Sequence, residues 1–246
     1  PGPLAYHSAV YDPQAKRMIV FGGSANLRET TDSVWSLNLK KGGESWVKIE
    51  FPVSPGPRAA QSTAYDSRSH RMVVFGGCAK NLKACLYSND LWELDLKLGA
   101  ETWSAETGAG TPPGERESAM VFSQTDGDLV VIGGFNAKGY MKDAWVFERK
   151  KKAWLPMETP LSARCCASYH EAAKGSVLFG GNDRRAFFQD TWWSNGKDFK
   201  EIREPSMPQA RAFSRLVPTG EPNMYFLFGG QSPGGAMGDF WVLKLK

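Results

Sequence analysis

Metal and redox chemistry draw on cysteine, histidine and convergent carboxylates, and this sequence is poor in the first two. Its four cysteines are Cys78, Cys85, Cys165 and Cys166, and its three histidines are His7, His70 and His170. Zinc or iron needs several such ligands aimed at one point. The nearest candidate is Cys165-Cys166-x-x-x-His170. Along a strand, neighbouring side chains point to opposite faces, so Cys165 and Cys166 are not expected to share a metal. Buried small thiols are the expectation there. Cys78 and Cys85 stand seven residues apart. A disulfide would staple their loop, but two free thiols in a reducing compartment are the expectation. No glycine-rich phosphate loop opens a helix, and no Ser/His/Asp set can be placed. The reading is of a protein without catalytic residues, metal or cofactor.

Residues suited to recognition fall in three polar loops. Loop 78–90 carries Lys80, Lys83, Leu86 and Tyr87; loop 135–143 carries Phe135 and Tyr140; loop 182–190 carries Arg184, Arg185, Phe187 and Phe188. Aromatics beside arginine and lysine are the composition of protein-binding hot spots. The expected partner is a protein with acidic or aromatic residues. A structural alternative has Phe135 and one of Phe187 and Phe188 plugging a cavity mouth, with Leu86 folded onto its own loop.

The bulk composition agrees with an ordinary globular protein. The chain has 246 residues, 41% hydrophobic and 23% charged, and a net charge of +4. That charge is too small and too dispersed for a nucleic-acid binder. The run Arg149-Lys150-Lys151-Lys152 falls where a turn is expected and reads as a solvated rim. No apolar run reaches the ~18 residues of a membrane span. No charged and apolar leader opens the sequence. The expected location is the cytoplasm or another reducing intracellular compartment.

What must position these loops is a repeat. Met18 to Phe21 is an apolar run that ends on Gly22-Gly23, and the pattern returns at Gly76-Gly77, Gly133-Gly134, Gly180-Gly181 and Gly229-Gly230. Successive pairs are 54, 57, 47 and 49 residues apart. An aspartate follows the first glycine by ten residues (Asp32, Asp143, Asp190, Asp239), or by fourteen in the second unit (Asp90). Trp35, Trp92, Trp145, Trp192 and Trp241 come next. Short apolar runs and strictly alternating ones, separated by turn residues, predict four strands per unit and no helix. The inner strands should be fully buried and the outer ones half exposed. The expectation is one all-β domain, 1–246, with units at about 4–52, 53–109, 110–159, 160–205 and 206–246.

A glycine pair after an apolar strand, Asp-x-Trp, and a second tryptophan about ten residues later together resemble the kelch repeat. Arg58, Arg116, Arg164 and Arg211, ahead of each first strand, match that family's arginine, whereas the first unit has Leu4 there. The linkers ending at Arg58 and Arg116 look most like those of Rab-effector and host-cell-factor type kelch proteins. The resemblance implies a β-propeller with one four-stranded blade per repeat, and a scaffold role for the signature residues. It also implies a protein-interaction module, adaptor or complex subunit. The alternative is a kelch protein with a sugar, small-molecule or catalytic pocket at the propeller mouth. The iron-site spacing Glu-x-x-x-Asp-x-x-x-His of some kelch proteins is absent, as is the histidine supply of the copper-dependent ones. The fifth unit shows three strands and no fourth. Either a sixth blade lies beyond Lys246, or five blades close imperfectly and leave an edge for another chain to cover.

Overall fold

The structure is a computed structural model of the chain, and it describes residues 1–80, 84–124, 127–172 and 175–245. It is all-β among the described residues, and the five repeats are five antiparallel sheets, the blades of a β-propeller fold. Blade 1 is β1 (Ser8–Asp12), β2 (Arg17–Phe21), β3 (Val34–Asn38) and β4 (Ser45–Ile49). Blade 2 is β5 (Ser62–Asp66), β6 (Arg71–Ala79), β7 (Leu86–Asp95) and β8 (Thr102–Glu106). Blade 3 holds β9 (Met120–Ser123) and β10 (Leu129–Ile132), the short pair β11 (Phe135–Asn136) and β12 (Gly139–Tyr140), then β13 (Ala144–Glu148) and β14 (Ala153–Met157). Blade 4 is β15 (Ser168–Ala172), β16 (Gly175–Phe179), β17 (Thr191–Ser194) and β18 (Phe199–Ile202). Blade 5 holds β19 (Arg215–Pro218), β20 (Met224–Phe228), the pair β21 (Gln231–Ser232) and β22 (Gly235–Ala236), and β23 (Phe240–Lys244). Its main sheet has three strands, in the order β19-β20-β23. The chain forms two compact units, Pro1–Val121 and Phe122–Lys246.

The burial gradient follows the strand order. β10 is buried throughout and β16 nearly so, whereas β4 is exposed along most of its length. In the first unit, Ile19 and Phe21 of blade 1 pack with Met72, Val74, Leu94 and Trp103 of blade 2. The Phe21 and Trp103 rings are 5.0 Å apart and tilted. In the second unit, Val177 and Phe179 of blade 4 pack with Leu216, Tyr225 and Leu227 of blade 5.

The glycine pairs form the seam between consecutive blades. The second glycine donates its N–H to the carbonyl of the arginine that opens the next blade: Gly23 to Arg58 at 2.8 Å, Gly77 to Arg116 at 2.9 Å, Gly134 to Arg164 at 2.8 Å and Gly181 to Arg211 at 2.9 Å. The first glycine passes so close that a Cβ on Gly76 or Gly133 would lie 2.5 Å from that same carbonyl oxygen. Both glycines also have positive φ, a conformation that costs other residues free energy. Two residues after the arginine, Ala60, Ser118, Cys166 and Phe213 all take left-handed φ near 60°. Their N–H groups add a second rung: Ala60 to Tyr6, Ser118 to Ala60 and Phe213 to Cys166.

A buried ionic cluster joins the far ends of the first two blades. Asp12 is wholly buried. It accepts from Arg17 Nε at 2.9 Å, His70 Nε2 at 2.9 Å and the backbone of Gln14 and Ala15. Arg17 also reaches the Leu96 carbonyl at 2.7 Å and Glu101. Burial opposes ionisation of Asp12, but the bonds from His70 and Arg17 outweigh it and hold the carboxyl below its ordinary value of 3.8.

Two predictions follow the seam and the cluster. Gly133→Ala is expected to destabilise by at least about 3 kcal/mol, from left-handed strain plus a broken inter-blade bond. Gly229→Ala shares the positive φ, but its nearest neighbour would be Met237 O at 3.4 Å. It should cost only about 1–2 kcal/mol, and equal losses in urea unfolding would refute the seam. A carboxyl depressed in the folded state stabilises the fold above the unfolded pKa, and that contribution disappears as pH falls through the folded value. Asp12→Asn should therefore cost about 3 kcal/mol at neutral pH. It should also flatten the loss of stability between about pH 5 and pH 2. An unchanged acid limb would contradict the assignment.

Candidate functional site

Arg58, Arg164 and Arg211 are each committed to their own blade. Arg58 donates to the Gly76 carbonyl at 3.0 Å and to both oxygens of Asp90 at 2.7 and 2.9 Å. Arg164 does the same with Gly180 and Asp190, and Arg211 with Gly229 and Asp239. The aspartate then accepts the indole N–H of the tryptophan two residues on, for Trp92, Trp145, Trp192 and Trp241 alike. Burial opposes ionisation of Asp90, but the bonds from Arg58, Ser88 and Trp92 lower its pKa overall. Arg211 draws Asp239 down to about 2. Blade 1, with Leu4 at the arginine position, has Ser33 where the other blades have the aspartate, its carbonyl accepting from Gly22 as Asp143, Asp190 and Asp239 do from their glycines, and the adjacent Asp32 accepts from Ser54 Oγ at 2.7 Å.

The three recognition loops differ from the expectation and from each other. Loop 78–90 is largely strand. β6 runs through the glycine pair, with a register shift between Phe75 and Gly77, and pairs Cys78 with Tyr87 and Ala79 with Leu86. The four extra residues give this hairpin enough chain to keep its ladder going, and the glycines are absorbed as a bulge. Lys80 and Leu86 are exposed at its end and Tyr87 is half-buried. Lys83 lies outside the described residues. The Lys80 carbonyl accepts from Thr30 of blade 1 at 3.4 Å.

Loop 135–143 folds into the β11–β12 pair, whose Phe135 and Tyr140 rings stack at 5.5 Å. In loop 182–190, Asp183 Oδ1 accepts the N–H groups of Arg185 and Ala186 and so builds a tight turn. Arg184 and Arg185 stand exposed on it. Phe187 is held by a bridge to Asn182. Phe188 is otherwise engaged: the Arg164 guanidinium lies 4.2 Å from its ring centre. That ring belongs to the arginine seam as much as to any face.

The cysteines correct two expectations. Cys78 and Cys85 form a disulfide rather than two free thiols, with Cα atoms 5.2 Å apart. Cys165 and Cys166 are also paired. Alternation fails there because Cys166 is not on a strand. It takes the left-handed position of the repeat, φ 62°, which turns both side chains to one side. His170 does not join them. Its ring packs tilted against Tyr225 at 5.8 Å, and burial lowers its pKa.

The Cys78–Cys85 pair has a neighbour that spacing could not foresee. Glu117 Oε2 lies 3.8 Å from Cys85 Sγ, and the two sulfurs and a Glu117 oxygen all fall within 4.8 Å of one another. Burial pushes the Glu117 carboxyl up to about 7.

With the fold in view, residues 1–175 match the family described as the KLHDC2/KLHL20/DRC7 Kelch-repeats domain. The chain belongs to the kelch-repeat family, whose domains are generally interaction modules. Among curated relatives, the flagellar outer-arm dynein alpha chain of Chlamydomonas reinhardtii is 32% identical over 132 residues, covering 52% of this chain and 3% of that protein. Adagio-like protein 3 of Oryza sativa subsp. japonica is 29% identical over 171 residues, covering 67% of this chain and 26% of that protein. Adagio protein 3 of Arabidopsis thaliana is 31% identical over 146 residues, covering 58% and 23%. The matched region is thus about a quarter or less of each relative's length.

Phe188→Ala is expected to destabilise by about 1 kcal/mol through loss of the contact with Arg164. Arg184→Ala and Arg185→Ala should stay within about 0.5 kcal/mol of the parent. Thermal unfolding of the three variants checks this separation of scaffold from free surface, and equal losses would erase it.

Proposed function

We propose that this chain is a protein-interaction module that acts as an adaptor or complex subunit inside the cell. The observation that carries the reading is the match of residues 1–175 to a kelch-repeat domain family, and the surface chosen to test it is the apolar face of blade 5. At equivalent places of the repeat, Phe179 and Thr191 of blade 4 are each 3% exposed, while Phe228 and Phe240 of blade 5 are 55% and 56% exposed. Val242 beside them is 54% exposed. Exposed apolar surface of this kind marks an interaction site. The outer edge of β23 is also unpaired among the described residues. Next to it runs a groove of about 420 Å³, lined by Pro205, Met207, Pro208, Trp241 and Leu243 among others. A lone edge strand with an apolar groove suits an added strand or sheet, from residues outside this segment or from another chain. The groove's apolar lining favours polypeptide over a sugar.

The hairpins after the glycine pairs supply the second part of the reading. Lys80, Leu86, Tyr87, Phe135, Tyr140, Arg184, Arg185 and Phe187 would contact a partner with acidic or aromatic residues, and Lys83 belongs to the same proposal. Among the described residues, no carboxylate forms an ion pair with Arg184 or Arg185, so both charges are free for a partner. The linkers ahead of Arg58 and Arg116 support kinship with Rab-effector and host-cell-factor type kelch proteins. The cytoplasm is the proposed location.

The test is quantitative affinity capture with three baits: the parent, Phe228→Lys/Phe240→Lys, and Lys80→Glu/Arg184→Glu/Arg185→Glu. Each bait must first show the parent's circular dichroism. Each substituted bait is expected to lose a defined group of proteins by about tenfold or more. Three indistinguishable capture profiles would overturn the reading.

A further inference from the structure

Blade 2 departs from the repeat in three ways that meet at one point. Its hairpin carries four extra residues, it places cysteines at positions 78 and 85, and the residue after the next arginine is a glutamate. That last position follows Leu4, Arg58, Arg164 and Arg211 as Ala5, Ala59, Cys165 and Ala212. In three units the slot is buried, Ala59 and Ala212 being 0% exposed and Cys165 2%, whereas Ala5 of the first unit is exposed. Glu117 stands in the same slot, 9% exposed, and the inter-blade seam at Gly77 and Arg116 delivers it onto the sulfurs. Nothing in the packing asks for a carboxyl there, and burying one without a cation is costly. No cation pairs with it among the described residues. Among the described residues, the groups facing it are the two disulfide sulfurs and the Tyr87 phenol, whose pKa is raised by burial and by Glu117.

We propose that Cys78, Cys85 and Glu117 form a thiol–disulfide exchange site, with Glu117 giving and recovering the proton of the buried sulfur. Cys78 is wholly buried, whereas Cys85 is half-buried near the hairpin end, so an incoming thiolate reaches Cys85 Sγ. Its attack forms a mixed disulfide there and breaks the Cys78–Cys85 bond, with the electron pair passing to Cys78 Sγ. Neutral Glu117, within 4.8 Å, protonates that thiolate. A second thiol then releases Cys85 and leaves as the reductant's own disulfide. Two thiols are oxidised to one disulfide and the protein disulfide is reduced to two thiols. The proton lost by the first thiol restores Glu117. Oxidation runs the same path in reverse, with ionised Glu117 as base. A carboxyl raised to about 7 is present in both forms near neutrality, as both directions require.

The experiment treats the folded full chain with excess dithiothreitol, then alkylates and reads each cysteine peptide by mass spectrometry. Cys78 and Cys85 are expected to become alkylated in the native state and to re-form their disulfide when an oxidised thiol is added. Glu117→Gln should slow the reduction by about tenfold or more, and Glu117→Asp should recover part of the rate. Both variants must keep the parent's unfolding midpoint. If the Gln variant proves unstable, the parent alone decides, by whether reduction proceeds without unfolding. A pair that resists dithiothreitol until denaturant is added would overturn the proposal. So would equal rates in the parent and Glu117→Gln, or a reduced protein that holds one zinc per chain and so shields both thiols.

Discussion

The contact on which the rest depends is one hydrogen bond, repeated: a glycine N–H at the end of an inner strand meets an arginine carbonyl at the start of the next blade. The preceding glycine has no side chain because that carbonyl fills the space where a Cβ would go. The same arginine holds its own blade through its guanidinium, on the carbonyl of that blade's first glycine and on the aspartate. Arg58, Arg164 and Arg211 therefore each couple two blades, backbone on one side and side chain on the other. Buried ion pairs add little net stability, because desolvation offsets most of their attraction. Their value here is positional. A planar five-donor group satisfies a carbonyl and a bidentate carboxylate together only in one orientation, which sets where each next strand begins.

This arrangement makes the last repeat conspicuous. Gly229 and Gly230 keep the left-handed backbone of the other pairs, yet no arginine carbonyl crowds Gly229. The sheet's own residues agree. Blade 4 places a phenylalanine and a threonine at its buried positions, and blade 5 places Phe228 and Phe240 at the same positions in the open. An isolated sheet gains nothing from two exposed phenylalanines, since burial is what makes a large apolar side chain stabilising.

The architecture was legible because its signals are periodic. The glycine pairs recur in every unit, and the aspartate ten residues on and the tryptophan two beyond it recur in units three, four and five, with unit two lengthened by four residues and unit one offset by one, so the pattern can be counted. The missing fourth strand of blade 5 was visible for the same reason. What could not be read had two causes. Alternation was applied to Cys165 and Cys166 as if they lay on a strand, but Cys166 occupies a left-handed position that no propensity for cysteine announces. Glu117 was invisible because its meeting with Cys85 is made by the seam, across 32 residues. The 78–90 segment is four residues longer than its counterparts, and composition alone reads it as loop. Only pairing shows that added residues extended a ladder instead.

These failures point to a way of reading repeats. In a repeat protein, a residue that every unit shares is explained by packing, and its chemistry carries little information about function. The informative residues are those at which one unit breaks a rule that the others keep. Phe188, aromatic and close to the proposed face, turns out to serve Arg164, whereas Arg184 and Arg185, on a turn made by Asp183, serve nothing in the blade. Glu117 is the sharper case. Four other units put a small side chain after the opening residue of the blade, and the one exception carries a carboxyl that burial holds near neutrality, against the only cysteine pair that closes a hairpin. A costly group at a position where alanine would do implies that its ionisation has a use, and the nearest chemistry to it among the described residues is that of the two sulfurs.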